Sequence, residues 1–448
     1  MTLNYTLADV ATLTGTAVPE QHADALITSV STDTRTLQKN ALFVALSGDN
    51  FDGDNFVDEA FSKGAAAAIT RRKHTSGCCF VVENPLELLQ RFAHEHRLRC
   101  KAKVIAITGS CGKTTSKDMI SAVLGSKYQV VKTQGNLNND IGCPLSLLRI
   151  APDTEFAVIE MGANHAGEIA QLCRIAQPDE SAVTLVAPAH LEGFGSIENV
   201  ARAKSEIVTG LEGRGCFYAN MDDPRCRDMV ALHSGEVLRF GREGDVRLES
   251  ILLTDEEEMV LNIAPVGRLQ LPLKVKAHAT NVLLAVAVGL RHGITEFEGP
   301  LREACKNAAR FKTIKINGFT ILDDTYNANP ASMAAAVEAL RDHPGTGRRF
   351  AVLGAMFELG ESAAQLHYEL GALAARSGIS GLIARGPNAE DMVEGARAAG
   401  LNEAYAFSSA DAAAAMTQRM IAPGDVVLVK GSRGMRMEEV IEKLRDGA

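Results

Sequence analysis

An apolar run, VIAIT, passes through TGSCGKTT into SKDMISAVLG between residues 104 and 125. Few local patterns constrain a fold as tightly. The continuous apolar run predicts a strand buried on both faces, and the residues after the turn predict a helix. Gly109 and Gly112 let the backbone between them curl, so that its N–H groups converge on one point. The helix N-terminus adds positive potential there. The segment Gly109, Ser110, Cys111, Gly112, Lys113, Thr114 and Thr115 therefore reads as a phosphate-binding loop for ATP. Lys113 is placed to reach the β- and γ-phosphates, and the Thr114 hydroxyl suits Mg2+. The spacing departs from the strict Walker pattern, because only two residues separate Gly109 from Gly112. Cys111 reads as a loop filler rather than a nucleophile.

The same strand–turn–helix grammar repeats downstream. FAVIE at 156–160 is followed by GEIAQLCRIA, and SAVTLV at 181–186 precedes a further helix. Such alternation predicts a parallel sheet covered on both faces. Segment 235–276 has another texture: LRFG, LESILL and VLNI read as antiparallel strands of an inserted or edge sheet, with a helix from about 281 to 292 after them. A second α/β region begins near Lys312, with strands at FTILDD, RFAVLGA, GLIARG and VVLVKG. Upstream, LFVAL and VDEAFSKGAAAAIT predict a small mixed unit, and the charged stretch AHEHRLRCKAK marks its end. With 448 residues, about three domains are expected. The expectation is an α/β protein with a small α/β domain over 1–98, a central P-loop domain over 99–311 and a C-terminal α/β domain over 312–448.

Composition narrows the function classes. A formal charge of −9 argues against a general nucleic-acid or membrane-surface binder. Nine scattered cysteines without a CxxC pair fit free thiols in a reducing compartment. The N-terminus lacks a basic stretch followed by an apolar run, so a cytoplasmic protein is expected.

Two further side chains stand out by position. Glu160 ends the strand after the phosphate loop, where a carboxylate can hold Mg2+ opposite Thr114. His190 follows another strand, at the sheet end where α/β ligand sites collect. Lys204, in ARAKSEI, reads from spacing alone as a solvated helix lysine. No NKxD string follows a later strand, which disfavours a GTP-reading switch.

Longer strings add a resemblance. GNLNNDIG at 135–142, EMGANHAGEI at 160–169, AHLEGFGS at 189–196, DDTYNANPASM at 323–333 and VKGSR at 429–433 occur in order. STDTRTLQKNALFVALSGDNFDG near the N-terminus belongs to the same set. On these strings the chain resembles the Mur ligases of bacterial cell-wall synthesis, over nearly its whole length. The GANH and AHLEGFG segments favour the branch that adds D-alanyl-D-alanine to UDP-N-acetylmuramoyl-tripeptide. A branch adding a single diamino acid carries a DNPR-type motif in its last domain, whereas DDPR here lies at 222–225. A folate-type glutamate ligase would lack the N-terminal segment. A nucleotide-binding relative without catalysis is disfavoured by the intact Lys113, Thr114, Glu160, His190 and Lys204.

The resemblance implies a fold and a set of roles. The first domain binds the UDP end, with Ser31, Asp33, Thr34, Arg35, Ser47 and Gly48 as contacts. The central domain binds ATP, and a Rossmann-like C-terminal domain closes over it. Thr114 and Glu160 hold one Mg2+, His190 supports a second metal site, and Lys204 matches a lysine carbamylated in related ligases. Asn281 corresponds to an adenine contact, and Arg310 and Asp324 to residues near the phosphates and ribose. Asn138, Asn139, Asn164 and His165 line the muramyl-peptide channel. Tyr326, Asn327, Asn329, Lys430, Ser432 and Arg433 face the site from the last domain. The chain departs from the family at Ala277 and His278, at Leu185, at Ala355 and at Asn55; none of these is a metal or phosphate ligand. A monomer taking ATP, Mg2+ and the two substrates is expected.

Overall fold

The strand Lys103–Thr108 lies third from one edge of a nine-stranded sheet, between Phe156–Glu160 and Glu180–Val183. Its side chains show why the sequence is apolar without alternation. Val104 and Ala106 enter a core on one face, and Ile105 and Ile107 enter a separate core on the other. Helices Lys113–Gly125 and His278–Arg291 cover one face through residues such as Ile120, Val123 and Val282. Helices Glu168–Ala176 and Ile197–Thr209 cover the other through Leu172, Val200 and Ile207. The computed structural model describes residues 3–18, 22–48, 51–306 and 311–446.

The strand order of this sheet is Val130–Lys132, Phe156–Glu160, Lys103–Thr108, Glu180–Val183, Cys216–Asn220, Glu236–Gly241, Val246–Leu253, Met259–Ala264 and Gly267–Leu271. One expectation is corrected here. Glu236–Gly241, which contains LRFG, runs parallel to Cys216–Asn220 and continues the parallel sheet. Only Val246–Leu253, Met259–Ala264 and Gly267–Leu271 form antiparallel pairs, and they extend the same sheet rather than building another. Short apolar strings carry no record of strand direction. The helix expected from about 281 begins earlier, at His278.

The N-terminal third holds a four-stranded parallel sheet, Ser29–Ser31, Ala41–Val44, Ala67–Thr70 and Cys79–Val81. The helix Pro85–Arg99 joins it to the central sheet. Asn84 caps that helix by accepting from Leu86 N and Glu87 N, and Pro85 takes the first turn, where its missing N–H costs nothing. Leu88, Leu89, Phe92 and Ala93 then lie in one core with Leu42 and Ile69 on one side and Val104 and Ala106 on the other. The charged end of the helix is also tied down. Arg97 donates to Ala176 O, Gln177 O and Asp179 Oδ2, and the same Asp179 oxygen accepts from Val104 N at 2.8 Å.

The C-terminal third forms a six-stranded sheet in the order Lys312–Ile316, Phe319–Asp324, Val426–Lys430, Arg349–Gly354, Gly381–Arg385 and Ala404–Phe407. The first pair is antiparallel and the rest are parallel. Alternate residues again feed two cores, Leu322 and Leu428 on one face and Ile321 and Val427 on the other. The alanine-rich stretch is a helix, Ala410–Met420, whose small side chains bring it close to the sheet. Among the described residues, no helix is long and apolar enough to cross a membrane.

Because Phe92 is fully buried where the N-terminal and central cores meet, and its ring meets Tyr5 edge-on at 5.4 Å, Phe92→Ala should cost about 3–5 kcal/mol. Urea denaturation followed by far-UV circular dichroism would register this as a lowered midpoint. An unchanged midpoint would mean that the helix does not weld the two units.

Candidate active site

The phosphate loop is clamped from beside and behind. Gly109 has φ 142°, and a β-carbon there would collide with Thr184 Oγ1. Gly112 has φ 84° at the start of helix Lys113–Gly125, where a β-carbon would run into Asn281 Oδ1. Between the glycines, Thr184 Oγ1 donates to Cys111 O at 2.5 Å, and Ser110 N donates to Leu185 O at 2.8 Å. Ser110 Oγ donates to Ala187 O at 2.9 Å and accepts from Ala187 N at 3.0 Å. The chain just past strand Glu180–Val183 therefore fixes the loop. Leu185 acts through its backbone carbonyl, so the departure in its side chain leaves this contact intact. Lys113 Nζ donates to Gly109 O at 2.7 Å, lying back over the loop.

Glu160 sits at the end of the adjacent strand, paired in register with Ile107. Its carboxylate is buried at 2% exposure. Asn138 Nδ2 donates to Oε1 at 2.8 Å, and Thr133 Oγ1 accepts from Glu160 N at 3.0 Å. Oε2 has no hydrogen-bond partner among the described residues; Lys117 Nζ stands 3.9 Å away. A buried anionic oxygen left in this state is costly unless something else completes its shell.

His190 has φ 52° at the head of the short helix Leu191–Phe194, and its Nδ1 is paired with the carboxylate of Glu358 from the C-terminal third. Burial lowers its pKa, and Lys113 and Lys204 push the same way, outweighing the pull of Glu358. Lys204 is not the solvated helix lysine that spacing alone suggests. It is 2% exposed, its Nζ donates to Ala163 O at 3.4 Å, and it lies 5.6 Å from the Phe194 ring centre. Burial, reinforced by Lys113, brings its pKa down to about 7.

The C-terminal third meets the loop directly. Asn329 caps helix Pro330–Arg341 in a reciprocal box with Ser332, and its Nδ2 donates across to Ser110 O at 3.0 Å. Lys430 is buried, paired with Asp324 at 2.5 Å and donating to Asn327 O at 2.8 Å. Ser432 Oγ accepts from Phe357 N at 2.9 Å, and Arg433 pairs with Glu438 at 3.1 Å. On the central side, Asn281 Oδ1 accepts from Ser116 Oγ at 3.0 Å, which ties helix His278–Arg291 to the loop helix.

Three family models match in order: the Mur ligase family catalytic domain over 26–106, the Mur ligase middle domain over 107–289, and the Mur ligase glutamate ligase domain over 309–433. The UDP-N-acetylmuramoyl-tripeptide–D-alanyl-D-alanine ligase of Escherichia coli (strain K12) is 36% identical over 440 residues, covering 95% of each chain. The chain belongs to the Mur ligase family. A solved MurF structure from Acinetobacter baumannii superposes with a TM-score of 0.92 at 31% identity, covering 99% of each chain. One from Thermotoga maritima in complex with ADP gives 0.83 at 32% identity, covering 93% of this chain and 97% of that one.

Most residues singled out by the Mur ligase strings share one cleft of about 680 Å3. Ser110, Cys111, Gly112, Lys113, Thr114, Thr115, Asn138, Asn139, Glu160, Asn164, His190 and Asn281 line it from the central unit. Asp324, Tyr326, Asn327, Asn329, Lys430 and Arg433 line it from the C-terminal unit. Ala277 and His278 lie on its wall. A second cleft of about 750 Å3 adjoins it, sharing Thr114, Thr115, His278, Phe311 and Tyr326. Gly109, His165, Lys204 and Ser432 are not among the first cleft's lining residues. Arg310 lies outside the described residues.

The N-terminal group borders neither cleft. Ser31 Oγ donates to Asp33 O at 2.9 Å, and Arg35 bonds Asp33 at 2.7 Å, bringing that carboxyl down to about 2. Thr34 O accepts from Lys63 Nζ at 3.0 Å, and Ser47 Oγ donates to Asp52 at 3.0 Å. Gly48 pairs antiparallel with Phe51, and Asn55 sits in the 3-10 turn Gly53–Phe56. The DDPR string is structural: Asp223 caps Pro224–Asp228 and accepts from Val186 N at 2.6 Å.

Sequence reasoning missed Thr184, Lys117 and Glu358. Lys117 was findable, since it follows Lys113 by one helical turn and shares its face. Thr184 looked like strand interior, although the strand ends at Val183. Glu358 gave no local signal.

Mg2+ takes hard oxygen donors, usually one or two carboxylates plus water and substrate phosphates. The Thr114 hydroxyl and the unpartnered Glu160 oxygen match that donor set. Among the described residues no group of three or more His, Cys, Asp or Glu side chains converges.

The Lys204 amine should gain its neutral, nucleophilic form as pH rises through about 7. Carbon-13 NMR with labelled bicarbonate should then show a carbamate signal that grows over this range and vanishes in Lys204→Met. A signal absent in the parent protein would reject the reactive-amine reading.

Proposed function

We propose that this Mur ligase adds D-alanyl-D-alanine to UDP-N-acetylmuramoyl-tripeptide, with ATP and Mg2+, in peptidoglycan precursor synthesis. The observation that carries the reading is a single cleft in which a phosphate loop, a buried carboxylate with one oxygen unsatisfied, and polar side chains of the C-terminal unit meet. The named relatives at 31–36% identity over nearly the whole chain support the choice of branch.

The reaction sets the tasks. A carboxylate is a poor acyl donor, so the tripeptide carboxylate first takes the γ-phosphoryl group of ATP, releasing ADP. The amine of D-alanyl-D-alanine then attacks the acyl phosphate carbonyl, an amide bond forms, and phosphate leaves. The loop N–H groups and Lys113 hold the phosphates and offset the charge that builds between two anions. Thr114 and Glu160 would hold Mg2+, whose chemistry when bound is further neutralisation of phosphate charge. His190 and a carbamylated Lys204 would support a second metal position. Asn281, Arg310 and Asp324 serve the nucleotide. Asn138, Asn139, Asn164 and His165 orient the muramyl peptide. Tyr326, Asn327, Asn329, Lys430, Ser432 and Arg433 close the site from the C-terminal unit and keep water from the acyl phosphate. Ser31, Asp33, Thr34, Arg35, Ser47 and Gly48 receive the UDP end. These tasks divide the chain near residues 98 and 311. The protein works as a cytoplasmic monomer.

Phosphate release from ATP, Mg2+ and UDP-N-acetylmuramoyl-tripeptide should require D-alanyl-D-alanine and yield the pentapeptide by mass. Lys113→Ala should slow turnover by about 100-fold or more without altering the fold. No release with any tripeptide from folded, ATP-binding protein would overturn the substrate assignment.

A further inference from the structure

His190 and Glu358 meet across the junction of the central and C-terminal units. Both have left-handed backbones, φ 52° and φ 62°, which a β-carbon disfavours and which persist where the surroundings fix them. The surroundings here are reciprocal. Glu192 N donates to Glu358 O at 3.1 Å, beside the side-chain pairing of Glu358 with His190. Gly360, φ 55°, takes a left-handed backbone that favours glycine and packs in van der Waals contact with Glu192. The other side of the loop is bound to its own unit: Phe357 N donates to Ser432 Oγ at 2.9 Å, and Met356 N donates to His367 Nε2 at 2.9 Å.

A carboxylate can only accept, so His190 Nδ1 carries the proton and Nε2 keeps its lone pair. An imidazole held this way by a carboxylate is oriented for a ligand at its other nitrogen. The geometry points to Glu358 as a positioning residue: its carboxylate, carried on the C-terminal unit, sets the orientation and tautomer of His190 only while the two units are docked. The site is then complete only in the docked arrangement. This inference rests on the ligase reading for its link to Mg2+, but not for the docking contact itself. Side-chain exposures of 34% and 51% leave the pair at the rim of the junction, where it adds little to the folding of either unit. Glu358 variants should therefore fold.

Three variants test the assignment: Glu358→Ala, Glu358→Gln, and Lys276→Met, which removes the 2.6 Å Lys276–Asp342 pair across the same junction. Glu358→Ala should melt within about 3 °C of the parent. Small-angle scattering of the nucleotide-free protein should show a larger radius of gyration. The half-saturating Mg2+ concentration for phosphate release should rise about tenfold or more, with KM for the muramyl substrate unchanged. Glu358→Gln keeps an acceptor and should recover much of both effects. Lys276→Met should leave the Mg2+ requirement at the parent value. Unchanged scattering in Glu358→Ala, or an equal rise in Mg2+ requirement for Lys276→Met, would overturn the positioning role. If the parent releases no phosphate, the ligase reading falls, while scattering still decides whether Glu358 holds the units together.

Discussion

The Glu160 carboxylate organises the site because it is buried before its hydrogen bonds are complete. One oxygen takes the Asn138 amide at 2.8 Å, while the other has only the Lys117 ammonium at 3.9 Å. An anion so placed is tolerated where a cationic ligand completes it and where the scaffold blocks easier ways out. The scaffold supplies that rigidity. Glu160 closes a strand in register with the phosphate-loop strand, and both strands are buried on both faces. The backbone that carries the carboxylate is thus held by the sheet rather than by a loop.

The same logic explains the phosphate loop. A loop that presents its N–H groups to a ligand has few of them left to hold itself; Ser110 N is spent on Leu185 O, and the rest of the shape comes from side chains, carbonyls and neighbours. Here the carbonyls of Ser110 and Cys111 are engaged by Asn329 and Thr184, and the Ser110 hydroxyl is engaged by Ala187. Of these, only the Asn329 bond comes from the C-terminal unit. Asn329 is also the cap of its own helix, so one side chain links the lid's secondary structure to the loop it covers. Lys430 shows a parallel economy, since its buried ammonium joins Asp324 to Asn327 O and fixes the turn that carries Tyr326 into the cleft.

Legibility followed the range of the interaction. The loop, its strand and helix, and Glu160 were readable because their signals lie within a few residues of each other. Continuous apolar strands alternating with helices made the sheet class readable, but strand direction at Glu236–Gly241 was not, because short apolar strings look alike in parallel and antiparallel pairing. Lys204 is the sharper case. Helical spacing placed it on an ordinary amphipathic face, and its burial beneath Ala163 and Phe194 arises from packing against a loop some forty residues earlier in the chain. The N-terminal group was legible as a motif only. Its polar groups are bonded to the local backbone and to neighbouring side chains, a turn chemistry that sequence alone cannot separate from ligand contact.

Links between the central and C-terminal units include partly exposed polar pairs: His190 with Glu358, Lys276 with Asp342, and Lys274 with Thr313. The N-terminal junction is different, for there Leu88, Leu89, Phe92 and Ala93 form a continuous core with both sheets. This contrast has a functional reason. A hydrophobic weld is difficult to reverse, whereas exposed ion pairs exchange protein partners for water at small net cost. On the ligase reading proposed above, the C-terminal unit opens to release ADP and product, and weak polar contacts suit a junction that moves. The same reading has the N-terminal unit present one end of a long substrate, which a fixed core junction suits.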